Sequence, residues 1–261
     1  MGTETEIHPT AVIATSAILG IGVKIGPFAV IGPHVVLGDR VEIASHAVVQ
    51  GRTTIGAHSQ ISSFATIGMA PQDKKFEGED TSLVCGERNA FREYCNISVG
   101  TKGGGGKTVV GSDNLFMAFT HVAHDCWIGD FCILANSVQI AGHVELQDRV
   151  IVGGCSAVHQ FVKIGKMAMV GGGSMVVQDV PPFCMVNGNH ASATGLNVVG
   201  IKRAGFVSAE LENIRKMYKL VFQSSLTLTQ SIEGIAAEIP ESIYRAIFLE
   251  FLQKSTRGIC R

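Results

Sequence analysis

The chain has 261 residues, a length that fits one main folded unit with a small appendage. Hydrophobic residues make up 46% of the sequence and charged residues 16%, which excludes a disordered chain, because such chains combine low hydrophobicity with high net charge. The formal net charge of -1 excludes the uniform positive field on which non-specific nucleic-acid binding depends. We therefore expect a globular protein with no nucleic-acid partner.

The cysteine pattern and the N-terminal segment bear on the compartment. The 7 cysteines are odd in number and form no C-x-x-C pair, so neither a disulfide framework nor a thiolate zinc site is predicted. Residues 1–12 contain no basic region followed by an apolar one, and no stretch approaches the roughly 18 uninterrupted apolar residues of a membrane span. We expect a cytoplasmic protein with no membrane span.

The dominant pattern is a period of six residues. An aliphatic residue recurs at every sixth position from Ile7 to Ile67, over eleven consecutive positions, and a small or β-branched residue stands four positions after each of the first ten. A hydrophobic residue again recurs at every sixth position from Val110 to Val176, over twelve positions. Each hexad thus has two positions that face inward.

Two segments interrupt the hexads. The period resumes in phase at Cys85, three hexads after Ile67. Residues 73–84 and 98–109 depart from the pattern, and the second segment contains the run Gly103–Gly106, in which a fixed β conformation is entropically costly. We expect both segments to project from the repeat as loops.

Three hexads per turn build a left-handed parallel β-helix, a hexapeptide-repeat solenoid with a triangular section and about 18 residues per coil. Coils stack about 4.8 Å apart, so residues three hexads apart lie directly above one another. The hexads end near Pro181–Pro182. The fold class predicted is an all-β left-handed parallel β-helix over residues 1–182, followed by a linker and a small α-helical C-terminal domain over residues 183–261.

Helical spacing replaces the hexads in the C-terminal part. Ser208 is the predicted N-cap of a first helix. Its apolar residues recur at spacings of three to four positions: Leu211, Ile214, Tyr218 and Val221. A second helix is predicted from about Thr227 to Ile239, and a third from Pro240, in its first turn, to about Lys254. The third helix carries a further apolar set: Ile243, Ile247, Leu249 and Leu252.

Candidate catalytic residues cluster in the second block of hexads. Four of the 9 histidines fall close together there: His121, His124, His143 and His159. The three-hexad stacking rule places His143 above Asp125, and it places Gly142 and then Gln160 above His124. A histidine beside a carboxylate can act as a general base near neutral pH. The N–H of Gly142, which no side chain obstructs, could stabilise a developing oxyanion.

Two other interpretations of the histidines stay open at this point. They could be exterior residues of a non-catalytic solenoid, which is the commoner role of a lone histidine in such a fold. Three of them could also hold zinc, as in a zinc-dependent hydratase built on the same solenoid, although His121 and His124 stand at different hexad phases.

Several short motifs carry a family resemblance. They are HVAHDCWIGD at 121–130, AGHV at 141–144, AVHQF at 157–161, QDVPP at 178–182 and STRG at 255–258. Along essentially its whole length the chain resembles the UDP-N-acetylglucosamine O-acyltransferases that open lipid A biosynthesis in Gram-negative bacteria. A later N-acyltransferase of that pathway carries an extra N-terminal domain, for which a repeat that begins at Ile7 leaves no room.

The resemblance implies an activity and an assembly. The family transfers a 3-hydroxyacyl group from acyl carrier protein to the 3-position of the UDP-linked sugar. It acts as a homotrimer with sites between neighbouring subunits. No metal or other cofactor is implied, apart from the phosphopantetheine thioester of the carrier protein, which is the acyl donor.

The resemblance also implies roles for single residues. His124 would be the general base that deprotonates the sugar nucleophile, with Asp125 beside it and the Gly142 N–H as oxyanion donor. A further set matches residues that hold the acyl, sugar, pantetheine and nucleotide groups: Gln72, Asp73, Lys75, His121, His143, His159, Gln160, His190, Asn197 and Arg203. Without the resemblance, Gln72, Asp73 and Lys75 would be interpreted as part of a solvated charged loop.

Gly172 matches the position that acts as an acyl-length ruler in the family, where a glycine leaves the pocket long. The tail would dock the acidic carrier protein, because residues 201–261 contain nine Lys or Arg against six Asp or Glu.

Ser98–Val99, Val199 and Ala204 stand where the family usually has His-Arg, Glu and Arg around the acceptor sugar or its phosphates. These departures leave open an alternative acceptor, the 3-amino group of a UDP-aminosugar analogue.

Overall fold

Three parallel sheets form the faces of a β-helix, and the chain passes from sheet A to sheet B to sheet C in each coil. They belong to a computed structural model, which describes residues 4–261. The predicted solenoid starts at residue 1, and its residues 1–3 lie outside the described residues. Within residues 4–261, sheet A has 11 strands, sheet B has 9 and sheet C has 8.

The strands of each face follow one another at intervals of one coil. Sheet A consists of Glu6–Ile7, Lys24–Ile25, Glu42–Ile43, Gln60–Ile61, Ala90–Phe91, Leu115–Phe116, Ile133–Leu134, Ile151–Val152, Met169–Val170, Cys184–Asn187 and Ser192–Leu196. Sheet B consists of Val12–Ile13, Val30–Ile31, Val48–Val49, Thr66–Met69, Asn96–Ser98, His121–Val122, Gln139–Ile140, Ala157–Val158 and Met175–Val176. Sheet C consists of Ile18–Leu19, Val36–Leu37, Arg52–Ile55, Ser82–Cys85, Lys107–Val110, Trp127–Ile128, Glu145–Leu146 and Lys163–Ile164.

The hexad explains why the strands are short and where the core lies. In one coil, Ile25, Ile31 and Leu37 end the strands of the three faces, and each is at most 3% exposed. The preceding residue of each strand points outward, as at Lys24, which is exposed. Burying one such aliphatic side chain contributes about 1.5–3 kcal/mol relative to leaving it in water. Repeated along the solenoid, this hexad position forms one continuous apolar core.

The three-hexad stacking rule holds between regular coils and fails where a loop intervenes. His121 pairs with Gln139, which stands three hexads after it. Cys85 pairs instead with Ile55, five hexads before it, so it lies on sheet C and not above Ile67 on sheet B. The chain between these two paired residues is longer than a regular coil by two hexads. The six-residue phase therefore survives the loop while the face changes.

Both loops end earlier than predicted. The strand Ser82–Cys85 occupies the end of the predicted segment 73–84, because it alternates buried residues with partly exposed ones. Lys107–Val110 similarly ends the segment predicted as 98–109. The excursions are therefore residues 70–81 and 99–106. Each leaves sheet B and rejoins sheet C, so both loops project from the corner between these two faces.

The parallel sheets end later than predicted. Cys184–Asn187, beyond Pro182, pairs in parallel with Met169–Val170, and Ser192–Leu196 then adds an antiparallel strand. Pro181 and Pro182 lie at a corner between sheets, where the missing N–H removes no hydrogen bond from a strand ladder. For that reason the two prolines do not end the solenoid.

Four helices follow the last strand in the described part of the chain: α1 (Val198–Arg203), α2 (Ser208–Phe222), α3 (Leu228–Glu238) and α4 (Ile243–Lys254). The sequence analysis missed α1, which is too short for a periodic pattern. The apolar set predicted for α2 is buried, and α3 lies between Thr227 and Ile239 as predicted. None of these helices has the length and apolar character that crossing a membrane requires.

Two predicted helix starts were wrong. Ser208 is the first residue of α2, and Val207 takes the N-cap position, where its N–H donates to the Glu210 carboxylate at 2.9 Å. Helix α4 begins at Ile243, after Pro240, because Ser242 caps it by accepting a hydrogen bond from the N–H of Arg245 at 3.1 Å. Ile243, predicted as part of the apolar face, is 68% exposed. The buried residues of α4 are Phe248, Phe251 and Leu252.

Candidate active site

His124 and Asp125 lie at the corner between sheets B and C, directly after the strand His121–Val122. Nδ1 of His124 is 2.7 Å from Oδ2 of Asp125. Because a carboxylate can only accept, the neutral imidazole carries its proton on Nδ1 and keeps a lone pair on Nε2. The His124 side chain is 16% exposed and the Asp125 side chain is fully buried. This is the arrangement of a general base oriented by a carboxylate.

The loop 99–106 holds the Asp125 carboxylate. The Thr101 N–H donates to Oδ1 at 2.8 Å, and the Thr101 hydroxyl donates to Oδ2 at 2.6 Å. The N–H of Asp125 itself donates to the Thr108 hydroxyl at 2.8 Å. Sequence reasoning missed both threonines. The available signal was the glycine run, since a Cβ on Gly104 would overlap the Asp125 carboxyl group.

Gly142 lies beside the His124 ring, as the three-hexad stacking rule predicts. A Cβ on Gly142 would stand 2.7 Å from Cε1 and 2.9 Å from Nε2 of His124. The neighbouring N–H groups of Ala141 and His143 both donate to carbonyls of adjacent coils, whereas the Gly142 N–H has no acceptor within residues 4–261. A free backbone donor is thus next to the free ring nitrogen.

Two further histidines flank the dyad. Nδ1 of His121 is 2.7 Å from Oδ1 of Asn96. The His143 ring stacks on Phe161 at 4.4 Å and meets His124 edge-on at 5.1 Å between centroids. Burial lowers the pKa of His121 and of His143 below the ordinary 6.5. Both rings are therefore neutral at neutral pH.

The loop 70–81 reaches the same corner. Gln72 lines a cleft of about 350 Å³ together with His121, His124 and Gly142. Asp73 is close enough to His143 that its charge opposes the effect of burial on the pKa of that histidine. Asp73 Oδ1 accepts a hydrogen bond from the Lys75 N–H at 3.0 Å, and the Lys75 side chain is exposed outside the cleft lining.

Three predicted residues lie higher on the solenoid. His159 and Gln160 follow the sheet B strand Ala157–Val158, which is two coils above His121, and both are exposed. Nδ1 of His159 is 3.4 Å from a guanidinium nitrogen of Arg257. His190 is exposed beyond the last sheet B strand. None of the three lines the cleft at His124.

Asn197, Arg203 and Gly172 lie elsewhere on the chain. Asn197 and Arg203 line a second pocket of about 620 Å³ over the outer side of sheet A. The side-chain oxygen of Asn197 also caps α1, and its side-chain NH₂ donates to the Met167 carbonyl at 2.9 Å, so this amide has a structural role. Gly172 lies between strands of sheets A and B, at a different corner from His124. A single chain does not bring these residues to the cleft.

A metal-ligand set is present in the same cluster. Ligand atoms of His124, Asp125 and His143 lie within 4.8 Å of one another. The Asp125 oxygens, however, already accept from the Thr101 N–H, the Thr101 hydroxyl and the His124 ring. A cation would have to displace donors that a carboxylate binds well. The donor set therefore suits a hydrogen-bonded dyad better than a metal centre.

Comparisons with known proteins bear on the family. Residues 179–260 match the model described as "Udp N-acetylglucosamine O-acyltransferase; Domain 2", and residues 16–51 and 107–142 match the one described as "Bacterial transferase hexapeptide (six repeats)". An acyl-[acyl-carrier-protein]–UDP-N-acetylglucosamine O-acyltransferase from Anaeromyxobacter dehalogenans is 52% identical over 255 residues, which cover 98% of this chain and 99% of the relative. The chain belongs to the UDP-N-acetylglucosamine O-acyltransferase family.

Solved structures of UDP-N-acetylglucosamine O-acyltransferases share the whole fold. One from Acinetobacter baumannii superposes with a TM-score of 0.95 at 44% identity, and one from Moraxella catarrhalis with 0.96 at 39% identity. Each comparison covers 98% of this chain and 99% of the other. The left-handed parallel β-helix followed by a small helical unit, predicted from the sequence, is thereby confirmed.

Proposed function

We propose that this chain transfers a 3-hydroxyacyl group from acyl carrier protein to the 3-hydroxyl of UDP-N-acetylglucosamine, the first step of lipid A biosynthesis. Curated relatives about half identical along the whole chain carry the name of this acyltransferase. The observation that carries the mechanism is the pair of free groups in the cleft. Nε2 of His124 has a lone pair because the ring proton stays on Nδ1, where it is donated to Asp125, and the Gly142 N–H beside it has no acceptor within residues 4–261.

Nε2 of His124 and the Gly142 N–H fit a mechanism in which the sugar oxygen displaces the thiolate directly, with no acyl-enzyme. Nε2 of His124 takes the proton of the sugar 3-hydroxyl as that oxygen attacks the thioester carbonyl carbon. The Gly142 N–H donates to the oxygen that becomes negative in the tetrahedral intermediate. When the carbon–sulfur bond breaks, the pantetheine thiolate leaves and takes the proton back from the His124 imidazolium. The products are the 3-O-acyl sugar nucleotide and the free carrier thiol.

A covalent acyl-enzyme is not part of the proposal. The only thiol next to the dyad in sequence is Cys126, which is buried, and burial raises the pKa of this thiol to about 12. Its hydrogen points to the Ala141 carbonyl, at 3.1 Å from Sγ to oxygen. A thiol with such a pKa supplies almost no thiolate, which is the nucleophilic form.

The remaining predicted residues would bind the two substrates. We propose that Gln72, Asp73, His121 and His143 hold the sugar and acyl groups, because they lie in or next to the cleft. Lys75 would hold the same groups from outside the cleft lining. His159, Gln160 and His190 would contact the pantetheine arm or the nucleotide from the rims, and the basic helical tail would dock the acidic carrier protein. The phosphopantetheine thioester is the donor, and the cytoplasmic location belongs to the same proposal.

We propose a homotrimer in which neighbouring copies share each site, and the positions of Asn197, Arg203 and Gly172, away from the cleft of their own chain, support the sharing. The second pocket presents Ile133, Ile151 and other apolar side chains on an outer face, where an acyl chain could be covered by a neighbouring copy. The test is to mix His124→Ala and Arg203→Ala chains, each of which is expected to be inactive alone, and to reassemble them. Sites composed of two copies regain about a quarter of wild-type activity after random 1:1 mixing. Zero recovery would place both residues in one copy's site and contradict the shared-site arrangement.

The acceptor is tested by incubating the protein with 3-hydroxyacyl carrier protein and either UDP-N-acetylglucosamine or its 3-amino analogue. Ser98 and Val99, two departures from the family pattern, are 1% and 4% exposed, so neither side chain can contact a sugar in the cleft. We expect turnover of the hydroxyl sugar, with the acyl group on O3 by NMR. Turnover of the amine alone would make Val199 and Ala204, which line the second pocket, the candidate specificity residues. No transfer to either acceptor would contradict the proposed function.

A further inference from the structure

The loop 99–106, which we name the latch loop, is an insertion at the site itself. Ile97 pairs with Val122 across this loop, whereas Val122 pairs with Ile140 across a regular coil of three hexads. The latch loop leaves sheet B in the coil below His124 and folds over Asp125 before the chain enters sheet C. It covers one catalytic side chain and leaves the cleft at His124 open.

Thr101 engages both oxygens of the buried carboxylate. Its N–H holds Oδ1 and its hydroxyl holds Oδ2, the oxygen that also accepts from His124. Two donors on two oxygens fix the rotation of the carboxylate about its Cβ–Cγ bond. With that rotation fixed, Oδ2 faces Nδ1 of His124, and the proton of the neutral ring stays on Nδ1.

The rest of the latch loop is built to allow this contact. The Thr101 hydroxyl also accepts a hydrogen bond from the Gly104 N–H at 3.2 Å, which closes the short 3₁₀ turn Lys102–Gly104. Only a glycine fits at position 104, because a Cβ would overlap the Asp125 carboxyl group. The adjacent Gly103 faces open space, with no atom within 4 Å of an added Cβ.

We propose that Thr101 is a positioning residue for the reaction: it locks the Asp125 carboxylate so that His124 presents an unprotonated Nε2 to the acceptor hydroxyl. Thr101 does not touch substrate in this arrangement and acts only through Asp125. The inference deepens the proposed function, and its kinetic test rests on that function. A readout on the His124 ring tests it without any activity.

The kinetic test compares two pairs of variants with the wild type. Thr101→Val keeps the shape but loses the hydroxyl, and Thr101→Ser restores it. Gly104→Ala pushes on the Asp125 carboxyl group, and Gly103→Ala adds the same methyl group to open space. We expect kcat to fall about 10- to 100-fold in Thr101→Val and Gly104→Ala with KM for both substrates unchanged, because small misplacements of a catalytic group have effects of that size. Thr101→Ser and Gly103→Ala are expected to stay within about threefold of the wild type.

The spectroscopic test uses ¹⁵N-histidine labelling, with the His124 signal assigned by its loss in His124→Ala. The wild type and Thr101→Ser are expected to show His124 protonated on Nδ1. The fraction in that tautomer is expected to fall in Thr101→Val and Gly104→Ala.

Either test can overturn the inference. Wild-type kcat in Thr101→Val, equal loss in Thr101→Ser, or equal loss in Gly103→Ala and Gly104→Ala would each contradict it. An unchanged His124 tautomer in Thr101→Val and Gly104→Ala would contradict it as well. If Thr101→Val proves unstable, an unchanged tautomer in Gly104→Ala alone is sufficient. Failure of the proposed function is a distinct result, namely no acyl transfer by the wild type.

Discussion

The close approach of Gly142 to His124 makes a methyl group at this position a direct probe of the base. In Gly142→Ala the new Cβ would stand 2.7 Å from Cε1 of His124, and ordinary van der Waals contact begins at 3.4 Å. The ring must therefore move by about 0.7 Å, because the backbone of the solenoid coil is held by hydrogen bonds on both sides of Gly142. Alanine keeps the N–H, so the substitution displaces the base without removing the oxyanion donor.

We expect kcat of Gly142→Ala to fall about 10- to 100-fold, since displacements of about 1 Å at a reacting centre cost up to about 10²-fold. The thermal midpoint should change little, because the ring can shift toward the open cleft. The assay is steady-state acyl transfer to UDP-N-acetylglucosamine, with a thermal melt of each variant. Gly234→Ala is the control, because its Cβ would meet no atom closer than 3.9 Å on α3, and it should keep wild-type kcat. Turnover of Gly142→Ala within twofold of the wild type would refute this reasoning.

Three further predictions concern pH, thiols and metal. Since burial lowers the pKa of His121 and of His143, the unfolded chain binds more protons than the folded one as the pH falls below 6.5, and the free energy of unfolding falls with it. Urea titrations at pH 7.5 and 5.5 should show that the free energy of unfolding falls less in a His121→Gln, His143→Gln double variant than in the wild type. An equal fall in both proteins would contradict the effect of burial. Cys126→Ala should retain more than about a third of wild-type kcat, because its buried thiol is inert, whereas a loss of about 10²-fold would indicate a catalytic thiol. Purified protein should keep its acyl-transfer turnover after exhaustive EDTA treatment, and a loss that zinc restores would contradict a metal-free dyad.

The solenoid could be predicted because every coil repeats the same environment. An aliphatic residue at each sixth position has only the interior to occupy, so Ile25 and its equivalents determine the fold without information from distant residues. The same regularity stacks Gly142 against His124, since no loop interrupts the coil between them. The central geometry of the candidate site was therefore accessible from residue spacing alone.

The contributions of the loops could not be predicted, because an insertion follows no repeat. The insertion before Cys85 equals two hexads, so the six-residue phase continues and the sequence gives no sign that the strand has moved to another sheet. The corrected loop bounds 70–81 and 99–106 follow from strand pairing, which residue spacing does not reveal. The contact between Thr101 and Asp125 depends on the path of the latch loop across the corner. Asn197, assigned to the nucleotide through the resemblance, also caps a helix that was too short to predict.

The central claim is that His124 is the general base of an acyl transfer, and the most direct measurement is kcat for transfer from 3-hydroxyacyl carrier protein to UDP-N-acetylglucosamine in three proteins. They are the wild type, His124→Ala and the control His34→Ala, which removes an exposed histidine lower on the solenoid. We predict that His124→Ala loses about 10²- to 10⁴-fold in kcat with an unchanged thermal midpoint, while His34→Ala matches the wild type. Comparable turnover in His124→Ala and the wild type would contradict the account.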